Sequence, residues 1–220
     1  MEERVLFIDG EAIVLDKPAG LSVHPGPATR HSLEDHLPDL RFGFQRRPEP
    51  VHRLDRDTSG CLLLARNPKA LRRFQRAFEA GVVRKTYVAL LAGMPDEAEG
   101  MVDMALAKIS SREAGWRMVR DPAGKSARTR WRVVGQAGGK AVIRFTPETG
   151  RTHQLRIHAA SGIGIPIAGD PVYGDGVGPM LLHAFTLALD REGKPPIEAR
   201  APLPPAFLAA GVVPDWADAA

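Results

Sequence analysis

Cysteine is nearly absent from this sequence of 220 residues, since Cys61 is the only one. A single thiol can form neither an internal disulfide nor a cysteine-based metal site, so we expect a reducing, cytoplasmic setting. Long apolar runs are absent too: no stretch approaches the roughly 20 residues of a membrane span. The acidic start, Met1 to Arg4, lacks the pattern of a signal peptide. These absences exclude disulfide scaffolds and membrane-spanning helical proteins.

Loops that bind common cofactors are absent as well. The sequence contains neither the glycine-rich phosphate loop nor the G-x-G-x-x-G turn of dinucleotide-binding domains. It also lacks the G-x-S-x-G elbow of serine hydrolases. His153 and His158 stand five residues apart, which is a weak zinc pattern, and polar bracing is the favoured interpretation. We therefore expect no metal and no cofactor.

Positive charge is concentrated in the middle of the chain. Residues 41–158 hold 24 Lys and Arg against 11 Asp and Glu, a net of +13, whereas the remainder carries a net of −9. A basic middle between acidic ends fits a polyanion-binding surface. Basic residues spread over solvated faces fit the same count, so charge alone does not decide for nucleic-acid binding.

The hydrophobic fraction of 44% and the charged fraction of 25% are typical of a globular protein with one domain, or two lobes around one core. Residues 5–8 and 12–15 are predicted strands joined by an Asp-Gly turn. A short helix is predicted over residues 32–37, with Ser32 and Asp35 in the positions of a capping box. The clearest helix covers residues 68–80, after the N-cap Asn67.

Later segments alternate in the manner of strands. The predicted strands cover about residues 85–91, 129–134, 141–146 and 181–189. A helix, or a strand followed by a helix, is predicted over residues 152–161. The proline-rich tail from Lys194 is predicted to pack irregularly against the core. Many strands and few helices indicate an α+β domain on an antiparallel or mixed sheet.

The densest polar segment is His52 to Gly60, which precedes the apolar run 61–65. Acidic residues beside arginines are most often surface ion pairs, and Asp57 is interpreted in that structural way. A charged turn that leads directly into a buried strand is less ordinary. It would hold the Asp55 carboxylate at the edge of a core, where a carboxylate can act as a nucleophile or a general base.

This segment resembles the H-R-L-D-x-x-T-S-G signature of the RluA family of pseudouridine synthases. Residues 148–158, E-T-G-R-T-H-Q-L-R-I-H, and residues 84–89, R-K-T-Y-V-A, resemble two further motifs of that family. Smaller matches are K-P-A-G at residues 17–20 and G-D-P-V-Y-G at residues 169–174. The resemblance covers about residues 8–202.

The resemblance implies a role for each matching position. Asp55 is the expected catalytic residue, Arg156 is expected to pair with it, and Tyr87 is expected to lie beside the target base. Arg53 is expected to fill the space that a flipped uridine leaves. The substrate contacts implied in this way are His52, Arg53 and Arg151. No metal site is expected.

The resemblance also implies the fold and the organisation. We expect an extended, bent antiparallel or mixed sheet with flanking helices and a central catalytic cleft. Residues 1–220 would form a single catalytic domain, bilobed around that cleft, without an N-terminal RNA-binding extension. The expected partner is a stem-loop of tRNA or rRNA, with no membrane, no obligate protein partner and a monomeric state.

The implied activity is isomerisation of a uridine in RNA to pseudouridine. Asp55 would attack the sugar C1′ or act as a base at C2′, and the sequence does not choose between these routes. A non-catalytic RNA-binding protein would need the basic middle but not Asp55, Tyr87 and Arg156. A base-excising glycosylase or another carboxylate hydrolase would need a partner carboxylate to activate water, and no clear one is present.

Overall fold

The computed structural model describes residues 1–26, 29, 31–111 and 115–218. Within these residues the chain forms twelve strands: β1 Val5–Ile8, β2 Ala12–Lys17, β3 Glu49–Pro50, β4 Ser59–Ala65, β5 Arg84–Leu90, β6 Glu99–Asp103, β7 Leu106–Ser111, β8 Gly115–Arg120, β9 Arg128–Ala137, β10 Lys140–Pro147, β11 Leu182–Arg191 and β12 Lys194–Arg200. The α-helices are α1 Pro68–Glu79, α2 Gln154–Ile157, α3 Pro205–Ala209 and α4 Pro214–Asp218. Short 3-10 helices span Glu2–Arg4, Leu33–His36 and Asp39–Arg41, and a π-helical turn, His158–Ile163, continues α2.

The chain divides into two compact units. The first contains Met1–Lys85 and Ala184–Pro202, and the second contains Thr86–His183 and Leu203–Ala220. Two of the boundaries fall inside β5 and β11 and the third follows β12, so each unit is built from segments that are distant in sequence. Each unit has its own cluster of buried apolar side chains.

The first unit is an antiparallel sheet covered by α1. Its strands follow the order β1, β2, β4, β11 and β12, and β3 pairs with the C-terminal end of β4. Val14 lies opposite Leu63 in the sheet, and both side chains are inaccessible. Helix α1 contributes the fully buried Phe74 to the same cluster. This packing removes apolar area from water on the face that β4 presents to α1.

The second unit is built on the strands β5, β10, β9 and β6, in that order. Phe145 of β10 lies between Tyr87 of β5 and Trp131 of β9, and its side chain is inaccessible. Strands β7 and β8 form a separate antiparallel hairpin, which supplies Leu106 and Met118 to the core of this unit. Helix α2 adds further buried residues to that core.

The predicted N-terminal elements are confirmed. Strands β1 and β2 are antiparallel, and the Asp9 carboxylate accepts hydrogen bonds from two backbone N–H groups of the turn, at 2.8 Å each. Ser32 and Asp35 form the capping box of the first predicted helix. The Asn67 side chain accepts a hydrogen bond of 2.9 Å from the N–H of Ala70 at the start of α1. These local signals depend on neighbouring residues alone, which is why the sequence carries them.

The predicted irregular tail is wrong. Strand β12 begins at Lys194 and pairs with β11, with Ile197 opposite Leu189. Pro195 and Pro196 lack an N–H, but the pairing is irregular between Leu189 and Arg191, where these prolines lie. The Arg191 Nε donates a hydrogen bond of 2.9 Å to the Pro195 carbonyl, which holds the strand end in place.

The predicted fold class is confirmed, because the structure is α+β and consists mainly of antiparallel strands with few helices. The remaining predicted strands are present as β5, β9, β10 and β11, and the predicted helix near residue 152 begins at Gln154. In the described part of the chain, no helix combines the length and apolar character needed to span a bilayer.

Candidate active site

The predicted catalytic turn lies in the first unit, directly before the fully buried β4. Asp55 is partly buried, and its backbone carbonyl accepts a hydrogen bond of 3.1 Å from the N–H of Thr58. Thr58 and Ser59 are 3 and 4% exposed, whereas Arg53 is exposed. The chain passes from solvent into the core within a few residues, and Asp55 stands at that edge.

A buried lysine fastens this turn to the N-terminal loop. Lys17 is 1% exposed, and its Nζ donates to the carbonyl oxygens of Pro18 and Leu21 at 2.8 Å and of Arg56 at 3.1 Å. The N–H of Gly20 also donates to the Arg56 carbonyl, at 2.9 Å. The three donors of the ammonium group are therefore satisfied by backbone. Sequence reasoning missed this residue, although the K-P-A-G match contained it.

Electrostatics tie Lys17 to the acidic residues of the turn. Burial lowers the pKa of Lys17 to about 8, while Asp57, Asp55 and Asp16 act in the opposite direction. A buried cation is costly unless opposite charges and hydrogen bonds compensate it. The carboxylates of the turn and the three carbonyls together supply that compensation, so the turn and the lysine stabilise each other.

Gly60 fixes the entry of the turn into β4. Its φ is +104°, a conformation that side-chain-bearing residues rarely adopt. A Cβ atom at this position would also lie 2.2 Å from the carbonyl oxygen of Ala184. Both an unusual dihedral and a close approach are therefore present at this position. Glycine is required here because two neighbouring strands approach each other at this point.

His52 is half-buried in the first unit. Its Nε2 accepts a hydrogen bond of 3.0 Å from the N–H of Leu63, and its ring stacks on Phe78 with 4.4 Å between centroids. Burial, with a smaller effect of Lys85, lowers the pKa of His52 to about 3. A nitrogen that accepts a hydrogen bond cannot carry a proton, so this imidazole is neutral. The structure thus gives His52 a structural role, and its contact with substrate stays a prediction.

The other charged residues of the turn face solvent. Arg56 Nε donates to the Asp57 carboxylate at 3.0 Å, an exposed pair that agrees with the structural interpretation of Asp57. Among the residues that the structure describes, none forms an ion pair or a side-chain hydrogen bond with the Arg53 guanidinium. The Arg53 side chain is exposed.

Arg156 lies in the second unit and binds Asp170 through two bonds. Its Nε and Nη2 donate to the two carboxylate oxygens at 2.8 and 2.7 Å, with side-chain exposures of 5 and 0%. Burial raises the pKa of Asp170, but the bonds from Arg156 and from the N–H groups of Val172 and Tyr173 outweigh it, so the pKa lies below its usual value. Asp170 was not predicted as the partner of Arg156, although it belongs to the G-D-P-V-Y-G match.

A buried amide shapes the loop before α2. The Gln154 Oε1 accepts from the Thr149 hydroxyl at 2.7 Å and from the Arg151 N–H at 2.9 Å, and its Nε2 donates to the Thr129 hydroxyl at 2.9 Å. The Arg151 side chain is exposed, and its Nε donates to the Ser126 carbonyl at 3.0 Å. The loop conformation is thereby fixed, with Arg151 at its surface.

Tyr87 lies on β5 of the second unit. It is partly buried against the core and pairs in the sheet with Phe145. A rigid strand therefore positions its ring. His153 and His158 are braced by polar contacts: the Nδ1 atoms lie 3.1 Å from the Tyr173 hydroxyl and 2.9 Å from the Thr129 hydroxyl, respectively. Within the described residues, no three His, Cys, Asp or Glu side chains could share a metal ion.

The predicted site residues are therefore distributed between the two units. His52, Arg53 and Asp55 belong to the first, whereas Tyr87, Arg151 and Arg156 belong to the second. Within each unit, the structure adds one partner that the predictions did not name: Lys17 at the turn that carries Asp55, and Asp170 at Arg156. The joint action of Asp55, Tyr87 and Arg156 stays a prediction.

Comparisons with known proteins agree on one family. A family model described as RNA pseudouridylate synthase matches residues 11–161. An uncharacterized RNA pseudouridine synthase of Zymomonas mobilis is 54% identical over 215 residues, which cover 96% of this chain and 98% of that protein. The ribosomal large subunit pseudouridine synthase C of Haemophilus influenzae is 35% identical over 86% of this chain, but the match spans 62% of its own length.

A solved structure supports the same assignment. The human protein RNA pseudouridylate synthase domain containing 4 superposes with a TM-score of 0.80 at 26% identity, over 95% of this chain and 92% of the human chain. The similarity therefore extends over both units in sequence and covers all three motifs.

Proposed function

This chain belongs to the RNA pseudouridine synthase family, of the RluA type, whose enzymes are isomerases. From that premise we propose that it isomerises a specific uridine in tRNA or large-subunit rRNA, and that Asp55 is the catalytic residue. The observation that carries the proposal is the turn before β4. Lys17 and Gly60 hold the backbone around Asp55 at the edge of the core, in a segment that matches the family signature. Such a fixed carboxylate is what covalent or general-base chemistry needs.

The proposed reaction detaches uracil and rejoins it to the same sugar. The N-glycosidic bond between N1 and C1′ breaks, the base turns, and a C5–C1′ bond forms while the C5 proton is lost and N1 gains one. Asp55 either attacks C1′ or removes a proton from C2′ to give a glycal, and both routes stay open. The overall change is an isomerisation, so the proposal includes no redox or group donor.

Two residues of the second unit are proposed to assist. Arg156 pairs with Asp55 in this proposal, and a guanidinium with five N–H donors can bind a second carboxylate besides Asp170. Tyr87 transfers a proton at the base or packs against it. The support is the family motifs and the rigid placement of each residue within its own unit.

RNA recognition is proposed to combine base flipping with backbone contacts. A stacked uridine must leave its helix or loop to reach a carboxylate, and the exposed Arg53 is proposed to fill the vacated space. His52 and Arg151 are further proposed substrate contacts. Phosphate contacts by the basic middle of the chain should weaken with salt.

The choice of RNA follows the names of relatives. Synthases C and D of the large ribosomal subunit are 35 and 39% identical, although the matches span 62 and 49% of their lengths. Their names favour large-subunit rRNA, and tRNA is the alternative. We further propose that residues 1–220 act as one catalytic domain, as a monomer in the cytoplasm, with RNA as the partner.

The decisive experiment maps pseudouridine in cells that lack the protein. The RNA is treated with carbodiimide and reverse-transcribed after expression of wild type, Asp55→Asn or Asp57→Asn. We expect new stops with wild type and Asp57→Asn and none with Asp55→Asn, because only Asp55 carries the chemistry. Asp55→Asn should keep RNA affinity within about tenfold, since phosphate contacts supply much of the binding. RNA binding by wild type without any new pseudouridine would favour a non-catalytic RNA-binding protein instead.

A further inference from the structure

The hairpin of β7 and β8 in the second unit borders a cleft. A cleft of about 520 Å³ lies between this hairpin and the loops near residues 124 and 151, which is within the range of small-ligand sites. The side chains that matter for its chemistry are Leu106, Lys108, Trp116, Met118, Lys125 and Arg151. The cleft is thus partly apolar, partly aromatic and rimmed by cations.

The register of the hairpin explains this mixture. Lys108 lies opposite Met118, and residues two apart on a strand share a face, so Trp116 lies on the same face as both. Met118 is 9% exposed and belongs to the core, whereas 38% of Trp116 is exposed. Ile109 lies on the other face, opposite Arg117. The Trp116 indole therefore extends from the buried face of the hairpin, next to Met118, into the cleft.

The exposed indole is held in a defined orientation. The Trp116 ring meets the His153 ring edge to face, with 4.7 Å between centroids and an interplanar angle of 89°. The Tyr173 hydroxyl lies 3.1 Å from the His153 Nδ1, and it also accepts from the Met118 N–H at 2.9 Å and donates to the Met118 carbonyl at 3.2 Å. An aromatic ring that is fixed before binding loses little entropy when a ligand stacks on it.

The same contacts connect the indole to a predicted active-site residue. The backbone N–H of Tyr173 donates to the Asp170 carboxylate at 3.1 Å, and Asp170 binds Arg156. The Arg156 guanidinium lies 5.3 Å from the centroid of the Tyr173 ring. A ligand on Trp116 would therefore be held by the same framework that positions Arg156.

The rim of the cleft is positively charged. The Lys108 Nζ lies 5.4 Å from the centroid of the Trp116 ring, and Lys125 and Arg151 are exposed. Within the described part of the chain, these three residues form no ion pair with a carboxylate, whereas Arg130 and Arg132 do. Arg112 belongs to the basic middle of the chain but lies outside the described residues. Cations that have no carboxylate partner among the described residues suit a ligand that carries phosphate.

We propose that this cleft binds an unpaired nucleotide of the substrate RNA, with its base stacked on Trp116 and its phosphates beside Lys108, Lys125 and Arg151. The inference rests on the proposed function, because it assigns a second recognition site on the same RNA. A stacked base at this site would be a nucleotide other than the reacting uridine, so the enzyme would prefer a target that is flanked by single-stranded RNA. Stacking tolerates every base, so the site would distinguish single-stranded from paired RNA rather than one base sequence from another.

The test compares single-stranded and paired RNA. Affinity is measured by fluorescence anisotropy of a labelled oligouridylate of about ten nucleotides and of a paired duplex of similar length. Trp116→Ala should weaken binding of the single strand by about 5- to 150-fold and of the duplex by less than about twofold, since one stacked base is lost. Trp116→Phe retains a π-face and should stay within about threefold of wild type. Ile109→Ala, on the opposite face of the hairpin, is the matched control.

Salt dependence tests the cationic rim separately. Lys108→Gln and Lys125→Gln should each reduce the slope of log affinity against log salt concentration by about 0.7 on single-stranded RNA. Urea unfolding of each variant shows whether it is folded. Equal affinities of Trp116→Ala and Ile109→Ala for the oligouridylate would overturn the inference, as would an equal loss on single strand and duplex.

The two proposals fail in different ways. If wild type forms pseudouridine while Trp116→Ala binds as Ile109→Ala does, the cleft has no such role and the proposed function stands. If wild type forms no pseudouridine in any RNA while Trp116→Ala still loses single-strand affinity, the nucleotide site stands and the proposed reaction falls.

Discussion

The two units hold a buried cation in opposite ways. In the first, Lys17 donates to three backbone carbonyls and fixes the main chain of the turn that carries Asp55. In the second, Arg156 donates to the Asp170 carboxylate, and Asp170 is itself bonded to backbone N–H groups. The first arrangement positions a stretch of backbone, and the second positions one side chain.

This difference predicts that the protein loses different amounts of stability when the charge compensation of each buried cation is disturbed. The charge of Lys17 is balanced at a distance by acidic residues of the turn, and burial still lowers its pKa to about 8. The charge of Arg156 is balanced in direct contact by Asp170, at 2.7 Å. Removing Asp170 therefore leaves a full charge buried without its contact partner. Removing the Lys17 charge leaves three carbonyl groups without donors and deprives partly exposed carboxylates of a nearby cation.

The largest effect is expected for Asp170→Asn. Breaking a buried ion pair from one side typically costs about 3 to 5 kcal/mol, because the remaining charge loses its compensation. We expect that loss in urea unfolding, together with loss of pseudouridine formation as Arg156 changes position. The control is Asp190→Asn, which removes an exposed partner of Arg84 and should change the urea midpoint little. Equal losses in the two variants would contradict the role given to the buried pair.

A smaller effect on stability is expected for Lys17→Met. The apolar side chain has similar length, but the carbonyls of Pro18, Leu21 and Arg56 lose their donor, which should cost about 2 kcal/mol in the free energy of unfolding. Because Lys17 positions the turn and contacts no substrate in this proposal, the rate at saturating RNA should fall while the KM for RNA changes little.

Lys140→Met is the comparison for this variant, since Lys140 is exposed at the start of β10. It should alter neither the free energy of unfolding nor the rate. A Lys17→Met protein with normal rate but weakened RNA binding would show that Lys17 contacts the RNA rather than positions the turn.

The sequence predicted what local patterns control and missed what depends on distant neighbours. The capping residues Ser32 and Asn67 and the strand-like runs were identified because their partners are close in sequence. The β7–β8 hairpin was missed because its mainly exposed residues, such as Lys108 and Ile109, show no clear alternation, and β12 was missed because its prolines are tolerated only opposite an irregular part of β11.

The candidate site divides in the same way. Asp55, Tyr87 and Arg156 lie in motifs, so the resemblance named them. The partners of two buried cations, the Arg56 carbonyl and Asp170, lie 39 and 14 residues away from Lys17 and Arg156. No spacing rule connects such positions, and only the fold brings them together.

The smallest effect near neutral pH concerns His52, whose neutral ring belongs to the first unit alone. Its pKa is about 3 in the folded protein, because of burial first and Lys85 second, against 6.5 as the ordinary value. Between these values the unfolded chain binds a proton that the folded chain does not, so stability is complete above pH 6.5 and falls as the pH decreases. The loss should approach about 1.4 kcal/mol for each pH unit below the unfolded pKa.

His52→Gln lacks the titrating ring, so urea midpoints at about pH 7, 6 and 5 should fall more steeply for wild type than for this variant. Parallel curves would mean that the folded protein takes up a proton at His52 as readily as the unfolded chain does, and the contrast between a backbone-held and a side-chain-held unit would then rest on Lys17 and Asp170 alone.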